Sequence, residues 1–222
     1  MVYVMSDLHG EYYAFITMLK EIDFSDNDTL YILGDIFDRG PEPLKILDYI
    51  VGHENIILLK GNHEKMFEEA FEYGDYSLWY YNGGQRTHDK LIKAGQDKEQ
   101  QIYNYIKRLP IIKVVDKFIL VHAGLKYPVN CNQLELSDFL KMQSEDDILW
   151  TRDNIGAEKQ YKDYTVICGH TPIPNIIKIN DNSQNKIVYR PGTIYIDCGA
   201  TFTGKISCLR LDDMQEFYLV RN

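Results

Sequence analysis

Val2-Tyr-Val-Met-Ser-Asp-Leu-His-Gly10 runs from an apolar stretch into a polar turn that carries a carboxylate and an imidazole two residues apart. The β-branched and aromatic run Val2–Met5 predicts a buried strand. Tyr12, Phe15, Ile16, Leu19 and Ile22 then recur at helical spacing, so the stretch reads as strand, polar loop and helix. The apolar residues of that helix are expected in the core. The arrangement occurs twice more. Residues 30–33 lead into Gly34-Asp-Ile-Phe-Asp-Arg-Gly40, and residues 56–59 lead into Gly61-Asn-His-Glu64, with helices expected near Pro43–Val51 and over 64–73. Three such units imply an α/β fold whose loops gather along one sheet edge, where α/β proteins bind ligands.

After residue 110 the texture changes. Short apolar runs at 111–115, 118–121, 165–168, 187–189, 193–196, 206–211 and 217–220 are separated by turns such as Asp116-Lys117 and Asp212-Asp213. They predict a second, largely antiparallel sheet. No linker-like Pro/Gly/Ser tract divides the chain, so the expectation is a single domain over residues 1–222, an α/β sandwich of two β-sheets packed face to face and flanked by helices. Residues 74–95, with Tyr76, Trp79, Tyr80 and Tyr81 ahead of Asn82-Gly83-Gly84, show no clean period. They are expected to pack as a loop insertion outside the site.

Composition works by exclusion. A chain of 222 residues, 45% of them hydrophobic, can bury a core. The formal charge of −9 argues against broad contact with nucleic acid, so phosphate recognition must be local. No apolar run approaches the roughly 20 residues that span a bilayer, which argues against a membrane protein. The residues before the first turn are too few for a signal sequence, and Cys131, Cys168, Cys198 and Cys208 form no CxxC pair. A cytoplasmic location with reduced thiols is expected. None of the four cysteines begins a CxxxxxR phosphatase loop, so a covalent phosphocysteine route is not expected.

The residues that carry chemistry stand where predicted strands end: Asp7 and His9, Asp35 and Asp38, Asn62 and His63, His122, and His170. A lone Asp after a strand is ordinarily a turn residue or a helix cap. The set as a whole is different. Carboxylates, imidazoles and a carboxamide oxygen together suit borderline divalent ions such as Mn²⁺, Fe²⁺ or Zn²⁺, rather than Ca²⁺ or a structural Cys-rich zinc site. Glycines beside them allow the sharp turns that convergence requires.

Ser6-Asp-Leu-His-Gly10, Gly34-Asp-Ile-Phe-Asp-Arg-Gly40, Gly61-Asn-His-Glu64, His122-Ala-Gly124 and Gly169-His170 resemble, in order, the five motifs of the phosphoprotein-phosphatase branch of the calcineurin-like metallophosphoesterases. Asn82-Gly-Gly84, Leu109-Pro-Ile-Ile112, Leu149-Trp-Thr-Arg152, Gly169-His-Thr-Pro172 and Tyr195-Ile-Asp-Cys-Gly-Ala200 extend the likeness to the compact bacterial and phage members. Ser6 departs from it, since most members carry glycine there.

The resemblance implies two divalent ions, Mn²⁺ first with Fe or Zn²⁺ as alternatives. Asp7, His9 and Asp35 would hold one, and Asp35, Asn62, His122 and His170 the other, with Asp35 bridging. Two such ions about 3.5–4 Å apart can share a hydroxide, lower its pKa and clamp phosphoryl oxygens for in-line attack. In that pattern His63 is the general acid, oriented by Asp38, which would fix its tautomer and favour its charged form. Arg39 and Arg152 would grip the phosphate oxygens. Glu64 reads as a helix-start residue. The implied activity is hydrolysis of phosphoserine and phosphothreonine, with phosphotyrosine as a further candidate, on protein or peptide partners. The alternative is a symmetrical dinucleoside-polyphosphate (diadenosine tetraphosphate) hydrolase, which shares the motifs. A non-catalytic metal-binding scaffold would have lost the acid or a ligand, and none is missing.

Overall fold

The structure is a computed structural model and describes residues 1–153, 155 and 159–221. Strands β1 (Val2–Met5), β2 (Thr29–Ile32) and β3 (Ile56–Leu58) pair in parallel, each followed by a helix: α1 (Tyr12–Glu21), α2 (Pro43–Val51) and α3 (Asn62–Tyr73). The three sequence units therefore fold as read. Helix α3 starts two residues earlier than expected, so Asn62 and His63 occupy its first turn.

Residues 74–95 are a correction. They are not an irregular loop but part of a helical insertion, α4 (Ser77–Tyr81), α5 (Gln85–Ala94) and α6 (Gln96–Lys107). The aromatic cluster obscured the period because Trp79 is buried while Tyr81 is exposed on the same short helix.

The second sheet holds β4 (Ile112–Val115), β5 (Phe118–Val121), β6 (Thr165–Cys168), β7 (Val188–Arg190) and β8 (Thr193–Tyr195) in the order β4-β5-β6-β8-β7. Its outer pairs are antiparallel, but β5, β6 and β8 are parallel, so the sheet is mixed rather than largely antiparallel. Parallel neighbours need a long return path. That path carries α7 (Leu136–Lys141) and α8 (Glu145–Trp150) between β5 and β6, and α9 (Ile173–Ile176) after β6. After β8 comes the short α10 (Ala200–Thr203). The last two strands, β9 (Lys205–Arg210) and β10 (Gln215–Val220), join the first sheet, giving β10-β9-β1-β2-β3. Pairing β9 with β1 covers an edge that would otherwise leave a buried strand's amides unpaired.

Alternation along the strands makes the sandwich. Val4, Tyr31, Leu33 and Leu59 from the first sheet meet Phe118, Leu120, Ile167, Ile194 and Ile196 from the second in one apolar cluster. The intervening residues Tyr3, Met5, Leu30 and Ile32 turn outward to the helices of the first sheet. Ile119, Val121, Val166 and Cys168 do the same on the other side. Among the described residues no helix is long and apolar enough to cross a membrane.

Glu64 fastens the second and third loops to each other. Fully buried in the first turn of α3, its carboxylate accepts the amides of Asp35 (2.7 Å), Ile36 (2.9 Å), Phe37 (3.3 Å) and Gly61 (2.8 Å). The expected helix-start role is thus present, extended to a neighbouring loop. Replacing a buried charged acceptor by an amide that presents donors to donors costs about 2–3 kcal/mol. Glu64→Gln is therefore expected to lower the unfolding free energy by that amount in urea titration; a change below about 0.5 kcal/mol would contradict the clamp.

Candidate metal centre and phosphate cleft

All six parallel strands deliver a polar loop to the same end of the sandwich. Asp7 and His9 follow β1, Asp35, Asp38 and Arg39 follow β2, and Asn62 and His63 follow β3; His122 follows β5, His170 follows β6, and Asp197 follows β8. The backbone there is unusual. Asp7 (φ 53°), His9 (41°), Asp35 (56°), Asp38 (70°), Arg39 (64°) and His170 (64°) all occupy the left-handed region. That conformation costs a non-glycine residue roughly 1–2 kcal/mol, so surrounding bonds must hold it. Amides of Asp7, His9 and Gly10 donate to the carbonyls of Gly34, Asp35 and Ile36. The His170 amide donates to Asp7 Oδ2 across the two sheets (3.0 Å). Gly61 is required where it stands, because a Cβ would lie 2.2 Å from Asp35 Oδ1.

One donor set is closed on four sides. His122 Nε2 lies 2.8 Å from Asn62 Oδ1, 3.2 Å from His170 Nδ1 and 3.5 Å from Asp35 Oδ1, and His170 Nδ1 is 3.0 Å from Asn62 Oδ1. His122 Nδ1 lies 2.7 Å from Leu33 O, so with its Nδ1–H donated there Nε2 is the ring atom turned to the cluster as a ligand. It faces a carboxylate oxygen and a carboxamide oxygen, neither of which can donate. Ligands about 2.0–2.2 Å from a tetrahedral ion stand about 3.3–3.5 Å apart, close to these separations. The four residues assigned to this ion from sequence are therefore brought together, and they fit a divalent cation.

In the other set, ligand atoms of His9, Asp35 and His63 lie within 4.8 Å of one another. His9 Nδ1–H donates to Phe37 O (2.7 Å), which turns its Nε2 lone pair inward, 3.7 Å from Asp35 Oδ2. His63 Nε2 is 3.9 Å from the same oxygen. Asp7, the third ligand expected here, is buried beside them with Oδ2 on the His170 amide. The structure thus brings His63 nearer this cluster than the sequence reading placed it. Asp35 faces both sets, Oδ1 toward His122 and Oδ2 toward His9, as a bridging ligand must.

Electrostatics call for positive charge here. Burial pushes the carboxyls of Asp7, Asp35, Glu64 and Asp197 upward, and Asp7 adds repulsion at Asp35 and Asp197. Arg39 opposes the rise at Asp7, Asp35 and Asp197. Burial drives the imidazoles the other way: His9 is held well below its usual value, and His170 is pushed down to about 2 with help from His122 and Arg152. Neutral imidazoles among crowded carboxylates are the protonation state that binds a divalent cation.

His63 and Asp38 form a buried pair, Nδ1 to Oδ2 at 2.6 Å. Asp38 also accepts from Trp79 Nε1 (2.7 Å) and the Thr87 hydroxyl (2.6 Å), both from the helical insertion. Burial pushes Asp38 up to about 7 against those two donors. Burial, Arg39 and His122 hold His63 well below its usual value, so in the structure desolvation outweighs the charge that Asp38 was expected to confer. Arg39 donates to both inward lone pairs, His9 Nε2 at 2.7 Å and His63 Nε2 at 2.8 Å. With the exposed Arg152 it lines a cavity of about 130 Å³ that also touches His170, Asn175, Asp197 and Phe202.

The calcineurin-like phosphoesterase family pattern matches residues 1–199. The chain is a calcineurin-like phosphoesterase. It is 30% identical to serine/threonine-protein phosphatase 2 of Salmonella typhimurium over 95% of this chain and 92% of that one. It is 27% identical to the symmetrical bis(5'-nucleosyl)-tetraphosphatase of Erwinia tasmaniensis, over 55% of this chain and 44% of that one. A solved structure of a cold-active protein tyrosine phosphatase superposes with a TM-score of 0.67 at 19% identity, covering 98% of this chain and 78% of that one.

This phosphoesterase is thus a hydrolase of a family that uses a binuclear divalent centre, and its two donor sets fit one. The sequence reading missed Trp79 and Thr87, which lie 41 and 49 residues from the Asp38 they hold, with no local signal to link them. It also missed Asp197, which ends a strand beside Gly199 as the assigned residues do and was detectable by the same rule. Trp79→Phe removes a donor to the ionised form of Asp38, which raises that carboxyl's pKa, so protonation sets in at higher pH. The acid limb of the kcat/KM profile is expected to move up by about one pH unit, with kcat at the optimum kept within about threefold. An unshifted limb in a folded variant would show that Trp79 only packs.

Proposed function

We propose that this calcineurin-like phosphoesterase is a single-domain protein phosphatase acting on phosphoserine and phosphothreonine, with phosphotyrosine as a further substrate. The size of the cleft carries the reading. Sites for drug-sized ligands run to about 300–1,000 Å³. A hollow of about 130 Å³ with two guanidinium groups at its wall suits one terminal phosphoryl group. The sequence likeness to a serine/threonine-protein phosphatase over nearly the full length of both chains supports it, whereas the sequence match to the Erwinia tasmaniensis tetraphosphatase spans about half of this chain.

In this reading Asp7, His9 and Asp35 hold one ion, and Asp35, Asn62, His122 and His170 the other, with Mn²⁺ the expected metal. Bound there, the pair supplies an activated water and positive charge on the phosphoryl oxygens. Arg39 exchanges its two imidazole partners for phosphate oxygens, which are stronger, bidentate acceptors. Arg152 approaches from the open side. Once Arg39 has turned to the phosphate, His63 Nε2 loses its neighbouring guanidinium and can take up the proton that it then gives to the leaving alkoxide, while Nδ1 stays tied to Asp38. A serine alkoxide is a poor leaving group, so positioned donation is worth roughly 10²–10⁴ in rate. Trp79 and Thr87 keep Asp38 oriented.

The substrate assignment is tested on purified, Mn²⁺-loaded protein with phosphoserine and phosphothreonine peptides beside diadenosine tetraphosphate. The expected kcat/KM for the peptides is at least about tenfold higher, and Arg152→Ala is expected to cost about 1.5–3 kcal/mol on the peptides without metal loss. A higher kcat/KM for diadenosine tetraphosphate than for every peptide would replace this reading with the dinucleoside-polyphosphate one.

A further inference from the structure

Phe202 is the one phenylalanine exposed to solvent among the described residues. It is 71% exposed, yet it lines the same hollow as His9, Arg39, Arg152 and His170. The Arg39 guanidinium carbon lies 5.6 Å from the centre of its ring and caps part of it. The same guanidinium reaches His63 Nε2 at 2.8 Å. From the proton donor outward the order is therefore His63, Arg39, Phe202.

A leaving oxygen has to sit beside the group that protonates it. On the far side of Arg39 lies the Phe202 ring, the one phenyl group among the described residues that line the cleft. Backbone geometry sets where α10, which carries that ring, begins. Asp197 Oδ1 accepts the Gly199 amide (2.7 Å), Gly199 adopts a left-handed φ of 77°, and α10 starts immediately after it.

We propose that Phe202 is the platform for the leaving group and gives this site a preference for aryl phosphate monoesters, phosphotyrosine foremost, over alkyl ones. The proposal rests on the monoesterase reading above. In phosphotyrosine the ring is joined directly to the leaving oxygen, so its π face meets Phe202 while the phosphoryl group occupies the cleft. A seryl or threonyl group presents a saturated carbon at that distance and then backbone, with nothing to stack. Because the platform is one exposed ring and not a closed slot, alkyl esters are admitted but gain less.

The test compares phosphotyrosine and phosphoserine peptides with identical flanks on Mn²⁺-loaded wild type, Phe202→Ala, Phe202→Leu and Phe202→Trp. Phe202→Ala and Phe202→Leu are expected to lower kcat/KM for the phosphotyrosine peptide about 3- to 10-fold more than for the phosphoserine peptide, through KM, while Phe202→Trp keeps the wild-type ratio. Competitive inhibition by phenylphosphonate against methylphosphonate reads binding alone, and the wild-type preference for phenylphosphonate is expected to shrink in the Ala and Leu variants. Equal losses on both peptides, or a Leu variant that matches wild type, would overturn the platform. Failure of the wild type to turn over any phosphopeptide, with a phenylphosphonate preference that still depends on Phe202, would instead remove the protein-phosphatase reading and support the platform.

Discussion

Ligand atoms are aimed at one another in the head of this sandwich. Asp35 Oδ1, Asn62 Oδ1 and His122 Nε2 meet out of reach of solvent, with His170 Nδ1 completing the ring at 3.0–3.2 Å. With the carboxylate ionised and the imidazoles neutral, such a cluster sets lone pair against lone pair unless a cation sits among them. The rest of the architecture can be read as what is needed to impose it. His122 is turned by a carbonyl of the opposite sheet, and His170 is anchored by a carboxylate of the opposite sheet, so neither sheet alone makes the centre. Six left-handed residues and a buried glutamate clamp hold the loops where simple turns would not.

A second layer of polar contacts governs the proton. Asp38 is fully buried and takes three side-chain bonds, from His63, Trp79 and Thr87. Two of these come from the helical insertion, which is therefore part of the catalytic apparatus in this reading, although none of its residues faces the cleft floor. Arg39 joins the two layers: it touches His9 and His63 on one side and Phe202 on the other.

The legible parts of the sequence were the local ones. A strand that stops at Asp7, Asp35 or Asn62 announces itself within ten residues, because apolar period and polar turn lie side by side. Which strands pair, and in which direction, depends on partners far along the chain. The mixed order of the second sheet and the return of residues 205–220 to β1 could not be read from alternation alone. Trp79 shows the same limit at the site: its role depends on a single bond to Asp38, and an unperiodic cluster of aromatics hides it. Asp197 marks the opposite case, since a carboxylate after a strand and beside a glycine was the pattern already in use.

The most direct test of the two-ion centre is titration of Mn²⁺ into metal-stripped protein, followed by calorimetry and checked by elemental analysis. The account predicts a stoichiometry of two ions per chain for the wild type and one for Asn62→Ala, whose loss opens only the His122 and His170 set. A wild-type stoichiometry of one, or an Asn62→Ala variant that still takes up two, would contradict it.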